Sequence, residues 1–175
     1  MLNISSISEQ AAQALDAESC FVVREVFNVS LAGKAFGLTV ESVTPYLKTY
    51  ASDEALDEDC VVYGAFVNQA LAGMIVLSST WNNLAQIEHI VVAHTHRGTG
   101  VAKSLIEFSK QWALEHHLQG IRLETQTNNV PACRLYAQCG FALGGIDLYA
   151  YKTQAHVSNE IAMYWYWFPE AIGGT

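Results

Sequence analysis

The sequence holds no apolar run long enough to cross a membrane. Its longest, Ile161-Ala162-Met163-Tyr164-Trp165-Tyr166-Trp167-Phe168, falls far short of the roughly 18–20 residues a spanning helix needs. Met1-Leu2-Asn3-Ile4-Ser5-Ser6 lacks the basic and then apolar segments of a secretory signal, so the expectation is a soluble cytoplasmic protein. Bases are scarce. Nine Lys and Arg stand against 17 Asp and Glu, a formal net charge of −8. A nucleic-acid partner needs a basic face to release counterions, and this balance argues against one. Cys20, Cys60, Cys133 and Cys139 form no Cys-x-x-Cys pair and have no histidines at zinc spacing. They read as buried, reduced thiols. His94-x-His96 has no third ligand nearby in the sequence, so no metal is expected. Linkers rich in Pro, Gly or Ser, low-complexity tracts and internal repeats are also missing. Residues 1–175 therefore read as a single domain.

What is present is a hydrophobic fraction of 51% with 15% charge, a globular composition. Phe21 to Phe27 reads as an early strand, and residues 30–50 read as helix and loop. Val61 to Val67 and Ala70 to Thr80, separated by Asn68-Gln69, read as two strands and a tight turn. Ile87 to Val92 is a nearly unbroken β-branched run suited to a buried sheet position. The period then changes. Val101, Leu105, Phe108 and Trp112 recur at helical spacing and predict an amphipathic helix from about Gly98 to His117. Ile121 to Thr125 restarts a strand, and Asn129-Val130-Pro131 opens a short helix, with Asn as cap and Pro in the first turn. Gly140 ends it. Phe141 to Tyr151 and Asn159 to Phe168 close the chain as two long strands. The fold class is α/β, a mixed sheet with helices on its faces.

Chemistry concentrates in two places. Strand Ile87–Val92 leads through a short loop into Arg97-Gly98-Thr99-Gly100-Val101-Ala102 at a helix start. Glycines there let the backbone approach a ligand, and the helix end offers unpaired N–H groups and a positive dipole. That is a pyrophosphate cradle. It is not a Walker loop, since no Gly-x-x-x-x-Gly-Lys-Ser/Thr exists. A dinucleotide fingerprint would need a glycine where Lys103 stands. The second place is Asn129-Val130-Pro131-Ala132-Cys133-Arg134-Leu135-Tyr136-Ala137-Gln138-Cys139-Gly140-Phe141, alone an ordinary capped helix. Together, Arg-x-x-Gly-x-Ala and Asn-x-x-Ala-x-x-Leu-Tyr-x-x-x-Gly-Phe resemble the Gcn5-related N-acetyltransferase (GNAT) superfamily.

Trp81-Asn82-Asn83-Leu84-Ala85, Ile87-Glu88-His89, Leu123-Glu124-Thr125-Gln126-Thr127-Asn128-Asn129, Gly144-Gly145-Ile146-Asp147-Leu148 and Tyr164-Trp165-Tyr166-Trp167-Phe168 resemble, within it, the streptothricin acetyltransferases. The resemblance implies the GNAT acyl-CoA N-acyltransferase fold, its central sheet splayed between the fourth and fifth strands. It implies acetyl-CoA as co-substrate and the β-amino group of streptothricin's β-lysine arm as acceptor. Pantetheine would pair with Ile90, Val91 and Val92, and an N–H of Val91 or Val92 would polarise the thioester carbonyl. Main-chain amides of Arg97, Gly98, Thr99, Gly100, Val101 and Ala102 would hold the pyrophosphate, with Asn129 at a CoA-contacting position. Tyr136 matches the tyrosine near the CoA sulfur that can protonate the leaving thiolate. Glu124 stands where ribosomal-protein N-terminal acetyltransferases have their base, and Glu88 is its rival on a neighbouring strand. Trp81, Asp147, Tyr149 and Trp165 are candidate acceptor walls, with core packing the competing role of both tryptophans. Asp53-Glu54-Ala55-Leu56-Asp57-Glu58-Asp59 is either a solvated loop or a steering patch for a cationic substrate. Two further readings stay open: transfer to another amine, such as a peptide N-terminus or polyamine, and a non-catalytic acyl-CoA-binding module. The oligomeric state is open too, a homodimer included.

Overall fold

Two apolar runs separated by Asn68-Gln69 fold back on one another. β4 (Val61–Val67) and β5 (Ala70–Ser79) pair antiparallel, with Asn68 and Gln69 both at positive φ, 49° and 70°. A two-residue hairpin of the I′ type requires that conformation, because it matches the right-handed twist of the strands. The computed structural model describes residues 1–33, 35–50 and 58–169. Along them lie β1 (Leu2–Ser6), α1 (Glu9–Asp16), β2 (Cys20–Ala32), β3 (Ala35–Thr49), β4 and β5, β6 (Ala85–Val92), α2 (Val101–Glu115), β7 (Ile121–Gln126), α3 (Val130–Gln138), β8 (Ala142–Asp147) and β9 (Ala162–Trp167).

The chain divides into two compact units. One comprises Met1–Cys20, Thr49–Arg122 and Trp167–Thr175, the other Phe21–Lys48 and Leu123–Tyr166. In the first, the strand order is β1-β4-β5-β6-β7, with β7 contributing Ile121 and Arg122. Neighbours from β1 to β6 run antiparallel. The N–H of Ala85 donates to the carbonyl of Gly120 at 2.9 Å, so β6 and β7 set out from the same end and α2 is their crossover. Helices cover both faces of β5. Met74 packs with Ala12 and Leu15 of α1 and with Val91 and Ala93. Next to it Gly73 faces α2, where an added Cβ would stand 2.9 Å from Val101 Cγ1 and 3.2 Å from Leu105 Cδ1. Successive strand residues point to opposite faces, so the two helices lie on opposite sides.

In the second unit the order is β7-β9-β8, with β8 and β9 antiparallel, and β2 and β3 form a separate two-stranded sheet. The Phe27 N–H donates to Thr127 C=O at 2.9 Å. Lys48 Nζ meets both Glu160 carboxylate oxygens, at 2.6 and 2.8 Å, with both side chains largely buried. α3 starts as its sequence demands: Asn129 Oδ1 accepts from the Ala132 N–H at 3.3 Å, and Pro131 lies in the first turn.

Several expectations need correction. Residues 30–50 are not helix and loop; β2 runs to Ala32 and β3 from Ala35 to Thr49. Each strand is the other's partner, and weak alternation alone does not reveal a pairing. β1 and α1 add to the elements expected from the sequence; Ser8 Oγ caps α1 by accepting from Ala11 N–H at 3.3 Å. α2 begins at Val101 rather than near Gly98, because Gly98 and Gly100 hold φ of 75° and 91°. β8 stops at Asp147, whose Oδ1 accepts from the Tyr149 N–H at 2.8 Å and turns the chain. β9 is correspondingly shorter than Asn159 to Phe168. Cys133 and Cys139 are buried, as expected of thiols in a core, but Cys20 and Cys60 are only half-buried.

Gly73 is where close packing leaves no room. Gly73→Ala should destabilise the chain by about 1–3 kcal/mol, the usual cost of overpacking, read as a lower denaturation midpoint. An unchanged midpoint would contradict the packing of α2 on β5.

Candidate active site

β6 carries an irregularity that its sequence does not announce. Val76 pairs with His89 while Leu77 pairs with Ile87, so Glu88 is an extra residue in the ladder. A bulge of this kind re-aims side chains and bends the strand. Glu88 is exposed, and its Oε1 accepts from Ser78 Oγ at 2.5 Å. Farther along, Val91 is buried, while Ile90 and Val92 are half-buried.

A 3₁₀ turn, His94–His96, follows β6 and leads into the glycine loop. An added Cβ at Gly98 or Gly100 would meet no atom within 4 Å, so that side of the loop is open. The N–H groups of Arg97 and Thr99 turn inward to the carbonyls of His94 and His96, both at 3.4 Å. The amides of Gly100, Val101 and Ala102 open α2, where a helix has no acceptor of its own for them. The Arg97 guanidinium is engaged by three main-chain carbonyls. Nε donates to Val92 O at 3.1 Å, Nη1 to Cys20 O at 2.8 Å and Nη2 to Glu18 O at 2.7 Å. The loop can therefore meet an anion through main-chain amides and the helix dipole.

The second unit holds the other candidates. Glu124, on β7, is exposed and accepts a short hydrogen bond from the Tyr151 hydroxyl. That hydroxyl in turn accepts from Gln126 Nε2 at 2.7 Å. Burial and then the Glu124 carboxylate hold the Tyr151 phenol above its ordinary range. Tyr136, on α3, is buried, its ring 6.1 Å from that of Phe141 and 6.4 Å from that of Trp165. Asn129 caps α3, as already described.

Among the candidate walls, Trp165 is buried beside Tyr136, whereas Trp81 is 97% exposed. A core-packing role for Trp81 is thereby overturned. Asp147 and Tyr149 are both exposed, on the turn that ends β8. Of the acidic segment 53–59, only Glu58 and Asp59 fall among the described residues, and both are exposed. No group of three or more His, Cys, Asp or Glu among the described residues could hold a metal ion. None of the described helices is long and apolar enough to cross a membrane.

Sequence reasoning missed Tyr151, because nothing local links it to a carboxylate 27 positions away. It also missed a polar cluster on the α1 side of β6. His89 Nε2 lies 2.6 Å from Asp16 Oδ1 and 3.2 Å from Ser19 Oγ, and Ser19 Oγ donates to Asp16 Oδ1 at 2.7 Å.

Comparison with known proteins gives a consistent result. The model of the acetyltransferase (GNAT) family matches residues 18–141. A streptothricin acetyltransferase of Escherichia coli is 65% identical over 97% of this chain and 98% of its own. Among solved structures, one assigned as a streptothricin acetyltransferase from Bacillus anthracis, in complex with acetyl coenzyme A, aligns with a TM-score of 0.86. It is 36% identical, over 97% of this chain and all of that one. A nourseothricin acetyltransferase aligns with a TM-score of 0.81 and 30% identity, over 95% of this chain and 98% of its own.

The Tyr151–Glu124 contact can be read by ultraviolet titration. Tyr151→Phe should remove an ionisation lying above the ordinary phenol range, and Glu124→Gln should bring it down. Since the folded phenol ionises above its unfolded value, near pH 10, the stability it contributes is present below that pH and lost as pH rises further. An identical alkaline titration of the native chain and Glu124→Gln would contradict the contact.

Proposed function

The chain belongs to the acetyltransferase (GNAT) family, and from this we propose that it transfers the acetyl group of acetyl-CoA to the β-amino group of streptothricin's β-lysine arm, inactivating the antibiotic in the cytoplasm. The observation that carries this reading is the 65% identity, over nearly both full lengths, to a streptothricin acetyltransferase. The acidic balance, 17 acids to 9 bases, suits a cationic acceptor. The family match, residues 18–141, supports residues 1–175 acting as one acetyltransferase domain.

The residues divide the work as follows. The amides opening α2 cradle the pyrophosphate, and the open side of Gly98 and Gly100 admits it. Ile90, Val91 and Val92 offer main chain to pantetheine, and an N–H of Val91 or Val92 polarises the thioester carbonyl. Asn129 adds a CoA contact beside its capping bond. A lysine-like amine with pKa near 10 is almost wholly protonated at pH 7, and freeing it costs about 4–5 kcal/mol. Glu124, directly or through a water, takes that proton. The orientation of its carboxylate by Tyr151 supports this assignment. Glu88, whose bulge re-aims it, is the competing base. As the amine nitrogen bonds the carbonyl carbon and the carbon–sulfur bond breaks, Tyr136 protonates the departing thiolate.

Acid or base catalysis is typically worth 10²–10⁴-fold. Tyr136→Phe should lower kcat by roughly one to three decades with little change in acetyl-CoA binding. Glu124→Gln should lower the rate near neutral pH and recover part of it at high pH, where free amine is abundant. If Glu88→Gln does this and Glu124→Gln does not, the base is Glu88. Gly100→Val should raise the acetyl-CoA KM steeply, and unchanged cofactor affinity in a folded variant would sink the cradle assignment. Cells expressing the protein should survive streptothricin; full sensitivity would refute the acceptor.

A further inference from the structure

The stretch joining α1 to β2 meets the 3₁₀ turn after β6 at a group of side chains that acetyl transfer does not use. Cys20 Sγ lies 3.6 Å from His94 Nε2. The other ring nitrogen, His94 Nδ1, lies 3.3 Å from Glu18 Oε2, and that same oxygen accepts from the His94 N–H at 2.5 Å. Thiol, imidazole and carboxylate thus form one cluster, with the base within reach of the nucleophile and a carboxylate at ion-pair distance from its other ring nitrogen. That is the arrangement that activates a nucleophilic side chain.

The tautomer follows from these contacts. The carboxylate at Nδ1 favours the proton there and leaves Nε2 as acceptor toward the thiol. Nε2 also lies 3.4 Å from the Cys20 carbonyl oxygen. A neutral Nε2 gains nothing from that oxygen, but once it carries the thiol's proton it can donate to it. The backbone is held in place for this. Arg97 donates to both Glu18 O and Cys20 O, and the Cys20 N–H donates to Glu18 O at 2.7 Å. Access exists as well, since Cys20 is half-buried and the His94 side chain is 50% exposed. By contrast, Cys133 and Cys139 are buried, and desolvation pushes the Cys133 thiol up to about 12.

We propose that Cys20 is a reactive thiol, activated by His94 and Glu18, that is modified by thiol–disulfide exchange with small disulfides. Cys20 Sγ attacks one sulfur of the disulfide as its proton passes to His94 Nε2. The disulfide bond breaks, a mixed disulfide forms on Cys20, and the other sulfur leaves as a thiolate with the electron pair. Neither acetyl-CoA nor the acceptor enters the step, so the inference stands apart from the proposed acetyl transfer.

The test uses the full-length native chain with a symmetric aromatic disulfide whose released thiolate absorbs visible light. One thiol should react in a fast phase, peptide mass spectrometry should place the adduct on Cys20, and Cys20→Ser should abolish the phase. His94→Gln should slow it roughly tenfold or more, the scale of general-base assistance. Glu18→Gln should slow it less and serves as the second variant should His94→Gln not fold. Oxidised glutathione should give the same adduct, reversed by a dithiol. A fast phase that survives Cys20→Ser would overturn the proposal. So would a Cys20 rate that is unchanged in both folded His94→Gln and Glu18→Gln.

Discussion

Arg97 bonds to three main-chain carbonyls, and much of the candidate site depends on it. Val92 ends β6, Glu18 lies in the turn after α1, Cys20 opens β2, and all three oxygens accept from one guanidinium. These are charge-assisted bonds from a rigid, planar donor, a geometry that a lysine ammonium does not reproduce. They fix the end of β6 against residues 18–20. They also commit the only cationic side chain of the Arg97-Gly98-Thr99-Gly100 segment to main-chain carbonyls. An anion reaching the loop then meets peptide N–H groups and a helix end, and the glycines let the backbone present them.

β6 is where the first unit's packing and chemistry meet. Its Val91 is locked into the core with Met74, Ala12 and Leu15, while the bulge one turn of the ladder earlier frees Glu88 from the pairing. Burial makes the strand rigid, and the bulge lets a single carboxylate depart from the alternation. His89, on the same strand, closes a polar cluster with Asp16 and Ser19. A second tie thus joins β6 to the turn that Arg97 holds, so the position of residues 16–20 is set by several independent polar contacts.

In the second unit, the carboxylate and the tyrosine proposed for proton transfer have opposite surroundings. Glu124 is exposed and has one oxygen bonded to Tyr151, whereas Tyr136 is buried among aromatic rings. Such a division suits a base that must meet solvent or an incoming amine and an acid that must stay protonated until a thiolate appears.

The sequence by itself determined the parts whose causes are local. The Asn68-Gln69 hairpin, the helical period from Val101 to Trp112, the Asn129–Pro131 helix start and the glycine loop each follow from a few neighbouring residues, and each is present where expected. So is the family, because its two motifs are residue patterns. Only the tertiary structure decided what depends on distant partners. β3 is a strand because β2 lies beside it; the bulge at Glu88 exists only relative to β5. The Arg97 guanidinium clamps Glu18 and Cys20 because residues 18–20 approach it. Glu124 has Tyr151, and Cys20 has His94, across separations of 27 and 74 positions. Local periodicity carries no information about such contacts, since they are set by how packed elements bring distant side chains within hydrogen-bonding reach.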